Sequence, residues 1–233
     1  HLRQERDRLP ASVRHVLADG LYANQAFVWG VLDLKLHLVS KLRKDANLRY
    51  IYNGPQKARG RRREYEGKVD FVDWSRWEVL ESAPSGQEGF TQVVNHPDLR
   101  LNLRVVVLWP HGKPQHRRVL MSTDVELSGA EVVRLYASRF QIEYLFRDAK
   151  QFTGLCDAQT RAAEGLHFHL NASFAALNLL RAEHLLEHLH NPQAPVSVDS
   201  LKRRHFNELF MRRLFSQLGL DPNSEKIRPV FDE

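Results

Sequence analysis

An α/β fold is predicted by three changes of hydrophobic period along the chain. Residues 14–18 (Arg-His-Val-Leu-Ala) form a short apolar run, residues 22–32 carry apolar side chains at helical spacing, and residues 36–42 alternate like a strand. Together they make a β-α-β unit. From residue 49 to residue 124 the period is two, and beyond 124 it becomes helical. The chain therefore divides into an α/β start over 1–48, a β-rich insertion over 49–125, a helical region over 126–190 and a helical tail over 191–233.

The first run delivers Asp19 at its carboxyl edge, followed by Gly20. Function often gathers at such edges, although Asp-Gly after a strand is, taken alone, an ordinary turn. Short β-like runs follow at 50–52, 69–72, 77–80, 91–94, 99–109 and 117–122, separated by Gly, Pro and Asn turns. Pro110-His111-Gly112-Lys113-Pro114 joins the last two as a hairpin. Ser128-Gly129-Ala130-Glu131 fits a capping box, from which one long helix is predicted to run until Thr153-Gly154. A second helix is expected over 165–190. Asn191-Pro192-Gln193-Ala194-Pro195 reads as a linker, and a third, basic helix is expected over 198–218.

Lysine and arginine number 34 against 28 acids, a net charge of +6 with a pI near 9.6. Such a balance favours a polyanionic partner, nucleic acid first, although a solubilising surface bias gives the same number. The single cysteine, Cys156, excludes an internal disulfide framework and cysteine-rich zinc sites. It reads as a small buried thiol in a reducing compartment, with the cytoplasm as the default location. No apolar run approaches the roughly 20 residues of a membrane span, so no membrane partner is expected.

On a continuous helix at about 100° per residue, Tyr136, Arg139, Glu143 and Lys150 share a face about 60° wide. Leu135, Ile142, Leu145, Phe146 and Ala149 form an apolar stripe beside it. A carboxylate among cations stays ionised and can hold a divalent metal, while the cations and the phenol bind phosphate oxygens. Spacing alone equally describes a solvated helix face with ion pairs. Asp148 points off this face and is a weaker metal candidate.

The stretch from Tyr136 through Arg139 and Glu143 to Lys150 matches the Y-(2)-R-(3)-E-(6)-K signature and resembles the insertion-sequence-four family of DDE transposases. The preceding Ser-Thr-Asp run, Phe140, Ile142, Phe146 and the Gly154-Leu155 exit resemble that family too. The resemblance implies a partial ribonuclease-H-like fold in which carboxylates hold two Mg²⁺ ions, with Mn²⁺ as substitute. It implies DNA transposition by phosphodiester cleavage and strand transfer, with double-stranded DNA as partner and a homodimer as assembly. Asp19 then corresponds to the second carboxylate and Glu143 to the third, both catalytic and metal-binding, while Tyr136, Arg139 and Lys150 grip DNA phosphates.

The first carboxylate of that pattern has no counterpart. Asp7 lies in Glu5-Arg6-Asp7-Arg8, a charged stretch without an apolar strand. The expectation is a piece of a longer transposase, or the remnant of a decayed gene, inactive by itself. The run Lys57-Ala58-Arg59-Gly60-Arg61-Arg62-Arg63 is a second DNA-binding candidate, at a hairpin tip. Lys202, Arg203, Arg204, Arg212 and Arg213 form a third. Trp74, Trp77 and Trp109 can stack on bases but fit core packing better. His167 and His169 lie on different helix faces, with no third ligand for zinc. Two readings compete with the transposase: a metal-dependent nuclease that does not join strands, and a non-catalytic DNA-binding protein.

Overall fold

The computed structural model describes residues 1–81, 83–191 and 196–224, and part of the expected linker, residues 192–195, lies outside them. Two compact units divide the chain at Phe140 and Gln141. The first opens with a single helical turn, α1 (Leu2–Glu5), and strand β1 (His15–Leu17), followed by α2 (Gln25–Asp33) and β2 (His37–Leu42). Asn24 caps α2, its Oδ1 accepting the Phe27 N–H at 3.1 Å. β1 and β2 pair in parallel, as a strand-helix-strand crossover requires.

Six further strands follow: β3 (Arg49–Ile51), β4 (Tyr65–Lys68), β5 (Glu78–Val79), β6 (Gln87–His96), β7 (Leu101–Pro110) and β8 (Arg118–Ser122). The expected strand at 69–72 is displaced: the ladder partner of Arg49 is Lys68, and the chain leaves the sheet at Val69, whose side chain is buried. The β-rich insertion does not form a separate layer. β8 pairs antiparallel with β2, and one mixed sheet runs in the order β1-β2-β8-β7-β6-β3-β4, with β5 on β6.

β7 is central in the sheet, and its near-continuous apolar run faces a core cluster on either side of it. Leu103, Val105, Val107 and Trp109 join one core cluster with Val28, Val31 and Leu38. Val106 and Leu108 join the other, beneath Val132 of α3 (Gly129–Ser138). Trp74, Trp77, Phe90 and Trp109 pack ring against ring in the first cluster, with centroids of successive pairs 4.8 to 5.6 Å apart. The Trp77 and Trp109 indoles donate to Tyr50 and Glu88, and these tryptophans are core residues.

The long helix predicted from Ser128 is two helices. The capping box at Ser128 and Glu131 forms as expected, but α3 ends at Ser138 and α4 (Gln141–Phe152) starts afresh in the second unit. The end of α3 is tightened by i→i−3 bonds from the Arg139 and Phe140 N–H groups to Tyr136 and Ala137. The Arg139 guanidinium lies over the rings of Tyr136 and Phe140, 5.7 and 4.5 Å from their centroids. Neither Gly nor Pro marks the break, so the helical period runs straight through it.

The second unit continues with α5 (Ala163–Glu187) and α6 (Val198–Gln217). Ala149, Leu155, Leu177 and Val198 form its small core. Cys156 is exposed, not buried: Leu155 takes the inward place at the turn that Gly154 opens with φ +70°, and the next side chain points outward.

Candidate active site

Asp19 stands where β1 ends. The Ala18 N–H donates to the Val39 carbonyl, and the buried Ser40 hydroxyl donates to the Asp19 carbonyl at 3.0 Å, so the strand pair fixes its backbone. The carboxylate caps the 3₁₀ turn Gly20–Tyr22, with Oδ1 accepting the Gly20 N–H at 2.7 Å. Oδ2 has no partner among the described residues. A glycine is needed next because a Cβ on residue 20 would lie 2.9 Å from the Lys41 carbonyl oxygen of β2. Substitution would push the turn, and Asp19 with it, off the strand end.

α3 packs over β1, β2, β7 and β8, which brings its last turn to the same end of the sheet. The Tyr136 phenol is half-buried, and burial pushes its pKa up; the Arg139 cation opposes that, and the Asp19 carboxylate adds to it. Tyr136 is therefore a neutral O–H donor at neutral pH, flanked by a guanidinium and within electrostatic reach of Asp19. These three predicted site residues meet within the first unit. In the second unit, Glu143 and Lys150 share one exposed face of α4, two turns apart, as their spacing of seven requires. The four signature residues thus ride on two helices.

Beside Asp19 lies an open groove of ≈ 580 Å³ whose wall includes Lys41, Arg43 and Lys44. Neither hydrophobic period nor the family signature singles out this Lys-Leu-Arg-Lys run. The signal available was a basic cluster directly after the strand that pairs in parallel with β1.

The basic loop at 57–63 is elsewhere. It joins β3 to β4, at the opposite edge of the sheet from β1, with six inter-strand steps of about 4.8 Å between them. Gln56 clamps its far end through both the N–H and the carbonyl of Arg63, and the Arg63 guanidinium covers the Tyr52 ring. The tail cations are mostly engaged: Arg203 with Asp199, Arg204 with Glu187, Arg212 with Glu208, and Lys202 donating to the Phe152 carbonyl. Asp148 is buried between Arg147 and Arg181, 2.9 and 3.6 Å away, which makes it part of a structural ion pair. His169 Nε2–H donates to the Gly154 carbonyl at 2.7 Å, which fixes the tautomer with the proton on Nε2.

Hard carboxylate oxygens suit Mg²⁺ or Mn²⁺, and Asp19 fits, exposed at a strand end with one oxygen uncommitted. No cluster of three or more His, Cys, Asp or Glu side chains with metal-binding geometry occurs among the described residues. No described helix is long and apolar enough to cross a membrane. The sequence model of the transposase DDE domain matches residues 2–179. No curated protein matches the chain.

Proposed function

The chain belongs to the transposase DDE domain family, and from that premise we propose that it serves DNA cleavage and strand transfer at transposon ends, as a member of the insertion-sequence-four group. The observation that carries this reading is Asp19 at the end of β1, facing a neutral Tyr136 phenol and Arg139. Asp19 and Glu143 are the carboxylates that hold divalent metal. The chemistry supplied by bound Mg²⁺, or by Mn²⁺ in its place, is activation of the attacking water or 3′-hydroxyl and neutralisation of charge on the leaving oxygen. A phosphorus–oxygen bond forms to the attacker as the bond to the leaving oxygen breaks in line, and the attacker's proton passes to solvent.

The protein's own groups position that exchange. The Tyr136 hydroxyl donates to a phosphate oxygen, Arg139 offers a planar fork of donors to the same backbone, and Lys150 adds a point charge on the Glu143 face. Arg59, Arg61, Arg62, Arg63 and Lys57 hold duplex farther along, in a salt-sensitive manner. A two-metal site takes a third carboxylate beyond the two assigned, so we infer that these residues alone do not cleave. The working assembly is a homodimer in contact through α5 and α6, whose outward Leu179, Leu186, Phe206 and Leu209 support it.

Mn²⁺ titration followed by electron paramagnetic resonance tests the metal assignment. The expected result is weak binding by the unaltered chain, weakened at least tenfold by Asp19→Asn or Glu143→Gln. Binding unchanged in both variants would remove these residues from the metal site.

A further inference from the structure

The end of α5 and its C-cap read His184-Leu185-Leu186-Glu187-His188, and the functional reading above uses none of them. Two histidines four residues apart lie on one helix face, and here their rings stack, with centroids 4.1 Å apart and planes 27° from parallel. Both rings line a cavity of ≈ 300 Å³ against the first turns of α6, with Ser197, Leu201 and Arg204 on its wall. His184 is only 7% exposed, and its buried Nε2 has no hydrogen-bond partner. A buried polar nitrogen without a partner is rare in a folded chain. His188 is held in one tautomer. Its Nδ1 lies 2.9 Å from the His184 carbonyl, which can only accept, so in the neutral ring Nδ1 carries the proton and Nε2 keeps its lone pair.

An imidazole whose Nδ1–H is tied to a backbone carbonyl is the usual form of a metal ligand, because that bond fixes the ring and leaves Nε2 to coordinate. Histidines at i and i+4 on a helix are a known zinc-binding arrangement. Imidazole nitrogen suits Zn²⁺, Cu²⁺ or Ni²⁺, whereas carboxylates suit the harder cations. An anion is the poorer occupant, because Glu183 and Glu187 already neutralise Arg204, at 3.5 and 2.8 Å. We propose that His184 and His188 form a site for a divalent transition metal such as Zn²⁺, in the cavity between the end of α5 and the start of α6. Each Nε2 lone pair replaces one water of the hydrated ion, and with both rings neutral no proton leaves. Waters keep the remaining positions, since no cluster of three or more His, Cys, Asp or Glu ligands occurs among the described residues. The spacing His-x-x-Glu-His is also one that metallopeptidases use, with the Glu as base. Here both Glu187 oxygens accept from Arg204, at 2.9 and 2.8 Å, so the site binds metal without hydrolysis. Coordination staples the last turn of α5 and stabilises the folded chain by linkage.

The test is a Zn²⁺ titration of the full chain by calorimetry, with excess Mg²⁺ present to occupy carboxylate sites, and by ¹⁵N NMR of the histidine rings. The expected result is one saturable site, with two Nε2 resonances moving together. His188→Gln should weaken binding at least tenfold, whereas the surface changes His190→Gln and His167→Gln should alter it less than twofold. His184→Gln should weaken it as His188→Gln does; should that variant not fold, the ring resonances of the unaltered chain decide the part of His184. Zn²⁺ should also raise the thermal midpoint of the unaltered chain and not that of His188→Gln. The absence of a saturable site, binding unchanged in His188→Gln, or movement of one ring alone overturns the proposal, and each leaves the Asp19 reading standing.

Discussion

Strand β7 and helix α5 are both rich in apolar residues, yet they bury them to opposite degrees. In β7, Leu103, Val105, Val106, Val107 and Leu108 are at most 1% exposed, while α5 leaves Phe168 at 75% and Leu179 at 71%. The difference is one of neighbours. β7 has strands on both edges and side chains over both faces, whereas only Ser173, Leu177 and His184 of α5 are buried. Apolar content therefore specifies a core in the first unit and leaves an uncovered surface in the second.

The sharpest way to break that comparison is truncation. Leu108→Ala should lower stability by about 3 kcal/mol, from lost burial plus a cavity, and Phe168→Ala, outside the proposed dimer contact, by less than about 0.5 kcal/mol. Denaturant unfolding of the two variants decides it, and equal losses would mean that the α5 surface is covered. Next in size is the remote basic loop. Changing Arg61, Arg62 and Arg63 to Gln should lower the slope of log affinity against log salt by up to about 2.7, at about 0.9 per phosphate contact. An unchanged slope would remove that loop from the DNA path.

Loss of the Ser128 cap on α3 is smaller, about 1 kcal/mol for Ser128→Ala, read from the thermal midpoint. The smallest effect is that of pH on the sheet unit. Burial holds His96 below the ordinary imidazole value of 6.5, so the unfolded chain takes up the proton first as pH falls. Stability from this group is complete above about 6.5 and is lost as pH falls below it towards the folded value. His96→Gln should flatten unfolding free energy against pH in that window; an unaltered profile would contradict the assignment.

Much of the sheet unit was legible because its signals are local. Period two marked β6, β7 and β8, the Pro110–Pro114 turn marked their connection, and Ser128 with Glu131 marked the start of α3. Asp19 stands out in the sequence because it follows an apolar run, and β1 does end beside it. The end of α3 was not legible, because Arg139 and Phe140 break the helix through ring contacts and tightened bonds, with no Gly or Pro. Cys156 was misplaced because composition gives a cysteine's usual burial but not the direction of a turn. His96 gave no signal at all. It is buried where β6 ends beside the loop after β2, a juxtaposition set by sheet order.

Asp19 and Glu143 are the carboxylates proposed above to hold divalent metal. A crystal structure of the chain soaked with Mn²⁺ tests that assignment most directly, through the separation of the two carboxylates. The account predicts roughly 4 to 8 Å, the span that shared or paired ions allow, with metal density between them. Carboxylates well beyond about 12 Å apart in an ordered lattice, outside the reach of paired ions, would contradict it.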